Sequence, residues 1–180
     1  MSPGAEHARA ARLFFALWPG EGARAELTAW SRELHRLCGG RAPHARDLHL
    51  TLAFLGSVPA ERVEAVERAA EDVVARASTL VLDQPGYWKH NRIVWAGASV
   101  VPAELDTLAA ELREALARAA VAFDAKRFVS HVTLLRDARE PRAMPALVPI
   151  RWDLEGFALA RSSSRANGAR YEVLRSWAAR

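Results

Sequence analysis

The chain has 180 residues, 51% of them hydrophobic, a net charge of +4, a pI near 10.0 and a single cysteine. That length holds one domain, or two small lobes sharing a core, and no apolar run approaches the ~20 residues that cross a membrane. The lone cysteine, Cys38, excludes an intrachain disulfide and, with no export signal in view, points to a reducing cytoplasm.

The N-terminal "MSPGAEHARAARLFFALWPG" contains one short apolar run, "LFFALW", without a small-residue cleavage site, and reads as a first strand over 12–18. Residues 21–38 carry Leu27, Trp30, Leu34 and Leu37 at helical spacing, with Cys38 as a small apolar residue at the end. A strand is predicted over 47–55. A helix is predicted over 59–77, with Pro59 in its first turn and Val63, Val66, Val73 and Val74 as its apolar face. Strands follow at 79–84 and 92–97, separated by "QPGYWKHN", which reads as a turn. A helix over 103–120 presents Leu105, Leu108, Leu112 and Leu116, and strands are predicted at 128–135, 151–160 and 170–177. The polar, basic "RSSSRANGAR" forms a hairpin or loop between the last two. Lys89 and Lys126 are the only lysines, and much of the charge alternates with glutamate along "AERVEAVERAAEDVVARA", a solvated face. The positive balance is therefore only a weak pointer to an anionic partner.

Two stretches break the apolar pattern in the same way. "DLHLTLAFLG" sets His49 and Thr51 in one apolar run, and "VSHVTLLR" sets His131 and Thr133 in another, 82 residues on. A shift of 82 also carries the first strand close to "RIVWAGA" and the helix 21–38 onto 103–120. Each half thus contains a strand, a helix and a strand bearing His-x-Thr, an internal duplication. The helix 59–77 has no counterpart, because its image begins at "PRAMPALVP"; the duplication covers the cores of the halves and not their tails. Two such units suggest lobes related by a pseudo-twofold axis, with one motif strand from each facing a shared cleft.

Side chains at i and i+2 of a strand share a face. His49 and Thr51 then point one way, with Leu48, Leu50, Leu52 and Phe54 in the core; His131 and Thr133 oppose Val132 and Leu134. A buried histidine beside a hydroxyl costs free energy unless it is partnered, and two at matching positions mark a site. Histidine exchanges protons near neutral pH, so a pair supplies a general base and a general acid. Threonine hydroxyls can hold phosphate oxygens as charge builds. The set suits in-line displacement at phosphorus without a metal.

With the opening "RLFFALWP" and the closing "ARSSSRANGARYEVLRSW", these motifs resemble those of the two-histidine (2H) phosphoesterase superfamily, and within it the bacterial and archaeal RNA 2′,3′-cyclic phosphodiesterases, also called 2′-5′ RNA ligases. The resemblance covers nearly the whole chain. It implies an α+β, bilobal fold whose two pseudo-twofold lobes each have an antiparallel sheet with helices outside and a cleft between. It implies hydrolysis of RNA 2′,3′-cyclic phosphate ends to 2′-phosphates, in some members with reversible 2′-5′ ligation, and no cofactor. The partners implied are RNA ends or nucleoside 2′,3′-cyclic phosphates, with no membrane and no obligate protein partner. Carried over, His49 is assigned as proton donor to the O3′ leaving group and His131 as the base activating water. Thr51 and Thr133 bind phosphate. Arg136 matches the arginine of the family's motif and would hold phosphate or stack on a base; strict alternation puts it on the wrong face unless the strand ends or twists.

Of Phe14 and Phe15, one is expected in the core and the other is a candidate to cover a nucleobase. Tyr87, Trp88 and Trp95 fit either core or rim, and His44 and His90 read as exposed. Two other functions compete: a metal-dependent hydrolase with His49 and His131 as ligands beside Asp47 or Asp137, and a module that only binds RNA ends in a basic cleft. A monomer is expected, since two lobes already supply the symmetry.

Overall fold

The computed structural model describes residues 10–165 and 168–180. The chain runs β1 (Ala11–Leu17), α1 (Glu21–Cys38), β2 (Leu50–Val58), α2 (Val63–Ala69), β3 (Ser78–Leu82), β4 (Gln84–Trp88), β5 (Ile93–Gly97), α3 (Ala103–Arg118), β6 (His131–Leu135), β7 (Ile150–Leu154), β8 (Gly156–Arg165) and β9 (Gly168–Ala178). Seven strands form an antiparallel sheet in the order β4-β5-β6-β2-β1-β8-β9, and β3 pairs with β7 separately. The two half-sheets expected of separate lobes are thus joined, through a single residue pair, Leu50 with Val132.

The duplication is visible in that order. Outward from the β2–β6 seam, β1 and β8 on one side mirror β5 and β4 on the other. Each outer strand comes from the opposite half of the chain: β8 pairs with β1, and β4 with β5. The tails correspond after all. β3–β4 and β7–β8 repeat at a spacing of 72 residues, ten fewer than the motifs, because the connection through α2 is that much longer than its counterpart. The helices exchange too. α1 lies against β6 and β7, and α3 against β2. Leu27 and Leu34 of α1 and Leu105, Leu112 and Leu116 of α3 are buried on one face of the sheet with Leu50 and Val132. Burying side chains of this size stabilises the fold by about 1.5–3 kcal/mol each. Ser31 of α1 donates its hydroxyl to the Leu134 carbonyl at 3.0 Å, tying the helix to the second motif strand.

Three expectations fail for identifiable reasons. The helix predicted over 59–77 is a single 3₁₀ turn followed by the seven residues of α2. Beyond α2 the chain turns through Asp72, closed by the Val73 N–H on the Ala70 carbonyl, and then runs on outside any helix, burying Val73 and Ala75 while Ala75 and Ala77 hydrogen-bond to the backbone of Arg180. The β-branched Val73–Val74 pair suits that conformation better than a helix. "QPGYW" is not a turn but the edge strand β4, where Pro85 is tolerated; the turn is 89–92. The strand predicted at 151–160 is two strands in different sheets. It breaks at Gly156, whose φ of 146° and 2.1 Å approach of an added Cβ to the Trp177 carbonyl admit only glycine.

Candidate active site

The seam between the half-sheets positions the motifs. Leu50 and Val132 are antiparallel partners, both 0% exposed and turned into the core. Their neighbours on either side therefore face the opposite surface. The same register sets His49 across from Thr133 and Thr51 across from His131. The two histidines are then diagonal neighbours, a placement that separates residues by about 7–8 Å and their Cβ atoms by somewhat less. The structure brings all four residues together on one half-exposed patch.

Both imidazoles are held alike. His49 Nδ1 lies 2.6 Å from the Asp47 carbonyl and His131 Nδ1 lies 2.7 Å from the Val129 carbonyl. A carbonyl only accepts, so each Nδ1 carries the proton and each Nε2 presents a lone pair. Burial pushes the His49 pKa down to about 4, and the Arg136 and His131 charges push the same way against the Asp47 hydrogen bond. Burial lowers His131 as well, again with Arg136 adding to the effect. Both shifts favour the neutral ring near pH 7.

Arg136 reaches this patch because of a bulge. In β6 the pairing with β5 jumps from Thr133–Trp95 to Leu135–Val94, leaving Leu134 as the extra residue. Leu134 and Leu135 are both core residues, and the face reverses after them. Arg136 therefore rejoins the side of His131 and is exposed, close enough to act on both histidines. The same bulge occurs in β2, where Leu52 and Ala53 are both in the core. It turns Phe54, expected in the core with Leu52, onto the site face, where it joins Phe14 and Tyr171.

Aromatic side chains wall the histidines. His49 lies 5.0 Å from Phe14, 5.5 Å from Trp18 in a stacked arrangement and 4.9 Å, edge-on, from Tyr171. His131 meets Trp88 edge-on at 4.6 Å. Trp88 in turn lies 5.4 Å from Trp95, which pairs with Thr133. Neither phenylalanine put forward as a base-stacking surface is free for that purpose. Phe15 is 0% exposed against Phe157 and Trp177, and Phe14, 3% exposed, is enclosed behind His49. Sequence reasoning missed Trp18 and Tyr171 as parts of the site. Trp18 had a signal: it continues the alternation from Phe14 and Ala16. Tyr171 had none, because the β8–β9 register decides it.

Of the two candidate carboxylates for a metal, Asp137 is engaged otherwise, whereas Asp47 meets His49 only through its main chain. Asp47 offers His49 its main-chain carbonyl, and Asp137 takes two hydrogen bonds from Arg41, the closer at 2.6 Å. No cluster of three His, Cys, Asp or Glu side chains suited to a metal occurs among the described residues. No helix among them is long and apolar enough to cross a membrane.

Comparison with known proteins agrees with this geometry. The sequence profile described as "LigT like Phosphoesterase" matches residues 17–95. The RNA 2′,3′-cyclic phosphodiesterase of Escherichia coli is 37% identical over 93% of this chain and 96% of its own length. The Thermus thermophilus protein of the same name is 32% identical over 94% and 90%. A crystal structure of E. coli LigT complexed with 3′-AMP superimposes with a TM-score of 0.86 at 36% identity, covering 94% of this chain and 98% of that one. The α+β fold is that of the two-histidine phosphoesterases. Within that class, the chain belongs to the LigT-like phosphoesterase family.

Proposed function

We infer that the protein hydrolyses RNA 2′,3′-cyclic phosphate ends to 2′-phosphates, with His131 as general base and His49 as general acid. The observation that carries this reading is the Leu50–Val132 register, which sets two Nδ1-anchored imidazoles diagonally across one patch. His131 Nε2 takes a proton from water as the water oxygen bonds to phosphorus. The P–O3′ bond breaks, and O3′ takes the proton from His49 Nε2. Thr51, Thr133 and Arg136 hold the non-bridging oxygens as negative charge builds on them. Exchange with solvent restores the starting protonation. A 5′-hydroxyl in place of water would leave a 2′–5′ bond. The whole chain acts as one catalytic unit of two lobes around this cleft.

His49 must be protonated to act as the acid, although it is neutral at pH 7 in the free protein. The bound phosphate supplies an anion opposite it, which favours the charged form. Activity then depends on pH through two macroscopic values that belong to the pair; a rate flat between pH 5 and 8, with chemistry limiting, contradicts the mechanism.

The deciding experiment is incubation with a short RNA ending in a 2′,3′-cyclic phosphate, in EDTA, with the product phosphate located. A 2′-phosphate is expected. A 3′-phosphate, or activity lost in EDTA and restored by metal, overturns the reading. Binding without turnover leaves only the RNA-end-binding module.

A further inference from the structure

We propose that the Trp88–Trp95 pair is the surface on which the nucleobase of the cyclic-phosphate nucleotide stacks, so that the base enters on the His131 side of the cleft. The inference rests on the phosphodiesterase reading and adds a site for the part of the substrate beyond the phosphate. Trp95 lies flat on the sheet because the two positions beneath it are glycine. A Cβ at Gly86, its cross-strand partner, would lie 2.0 Å from the indole ring, and one at Gly97 would lie 2.7 Å from it. Glycine inside a strand weakens it, and here two adjacent strands carry one at the same ring. The Trp95 ring is not anchored by its own polar atom, since Nε1 has no hydrogen-bond partner among the described residues. Trp88 leans on it at 5.4 Å and meets the edge of His131 at 4.6 Å. Both tryptophans are part-exposed.

The pseudo-equivalent positions do something else. Across from Thr51 stands Ala16, whose partner in β8 is Ala158. These small residues leave room for Phe14, Trp18 and Tyr171 to close around His49 itself. One half of the cleft thus spends its aromatic rings on its own imidazole, while the other stacks them into a platform beside the site. Stacking tolerates any base, because each has a π face, with little dependence on its hydrogen-bonding edge.

The test compares two substrates, a nucleoside 2′,3′-cyclic phosphate and methyl riboside 2′,3′-cyclic phosphate, which lacks the base. The wild type is expected to prefer the nucleoside in kcat/KM by about tenfold to a hundredfold, the usual range for one stacked base. In Trp88→Ala this preference should fall to within about twofold, the nucleoside losing more kcat/KM than the base-free substrate, on which only the lost contact with the His131 edge can act. Trp88→Phe, which keeps an aromatic edge on His131, should hold part of the preference. A wild type that does not discriminate, or a Trp88→Ala variant that loses both substrates equally, overturns the platform and leaves the phosphodiesterase reading standing. Failure of the wild type to turn over either substrate removes both.

Discussion

Both motif strands follow His-x-Thr with a bulge, at Leu52–Ala53 in β2 and at Leu134–Leu135 in β6. Both fix their histidine through Nδ1 to a carbonyl two residues back. The next residue on the site face is Phe54 in one strand and Arg136 in the other. Duplication preserved the backbone devices that aim the imidazoles and let the surroundings diverge. A symmetric pair of imidazoles thus sits in asymmetric surroundings, as the proposed asymmetric substrate requires: the β2 side is enclosed and aromatic, while the β6 side carries a guanidinium and an open tryptophan pair.

The largest effect is expected where the halves are alike. His49→Ala and His131→Ala should each lower turnover by about a hundredfold or more, the usual scale of acid–base contributions. The double variant should be little worse than either single one, since residues acting as a unit are not additive. If one histidine tolerates replacement, the halves are not partners in one step. On the proposed mechanism Thr51→Val and Thr133→Val each remove a hydroxyl that holds a developing anion, so each should cost about tenfold in kcat/KM, and by similar amounts. The next experiment removes the asymmetry. Arg136→Phe, which makes β6 resemble β2, should lower kcat/KM by roughly tenfold to a hundredfold, because charge-assisted hydrogen bonds are the strong ones. Phe54→Leu should change it less than threefold, measured on the same substrate. Equal losses from the two variants would mean that Arg136 only supports the fold.

How much of this was legible in the sequence follows the range of the interactions. The bounds of α1 were readable from Leu27, Trp30 and Leu34, because helical periodicity is local, although Leu37, counted on the same face, is 52% exposed at the last turn. The four motif residues were readable because the same unusual pattern occurs twice. What failed was set by distant partners. The helix stops short of Val73, and the chain after it is held instead by Arg180, which pairs with the backbone of Ala75 and Ala77. Pro85-Gly86 looked like a turn because nothing nearby reveals that Gly86 makes room for the Trp95 ring. Strict alternation misplaced Phe54 and left Arg136 on the wrong face for one reason, the bulges, which depend on the pairing with β1 and β5. Even there the motif held a hint, since "HLTLAF" and "HVTLLR" align residue for residue through the bulge.

The smallest effect lies in stability, and it separates the two histidines without substrate. Burial holds the His49 pKa at about 4, against 6.5 for a free imidazole, and lowers His131 as well. As pH falls, the unfolded chain takes up these protons before the folded one. The stabilisation is therefore complete above pH 6.5 and is lost as pH falls from 6.5 toward 4. The carboxyls of Asp83, Asp124 and Asp137 are held below their ordinary 3.8 by Ser99, Lys126 and Arg41 respectively, so their contributions are lost only below that window. For His49, going from pH 7 to pH 5 should cost about 2 kcal/mol, which lowers Tm by roughly 4–8 °C in a chain of this size. His49→Gln should remove most of that decrease, and His131→Gln less of it, in thermal unfolding followed at both pH values. Equal flattening by the two variants would mean that the aromatic enclosure around His49 does not set it apart from His131.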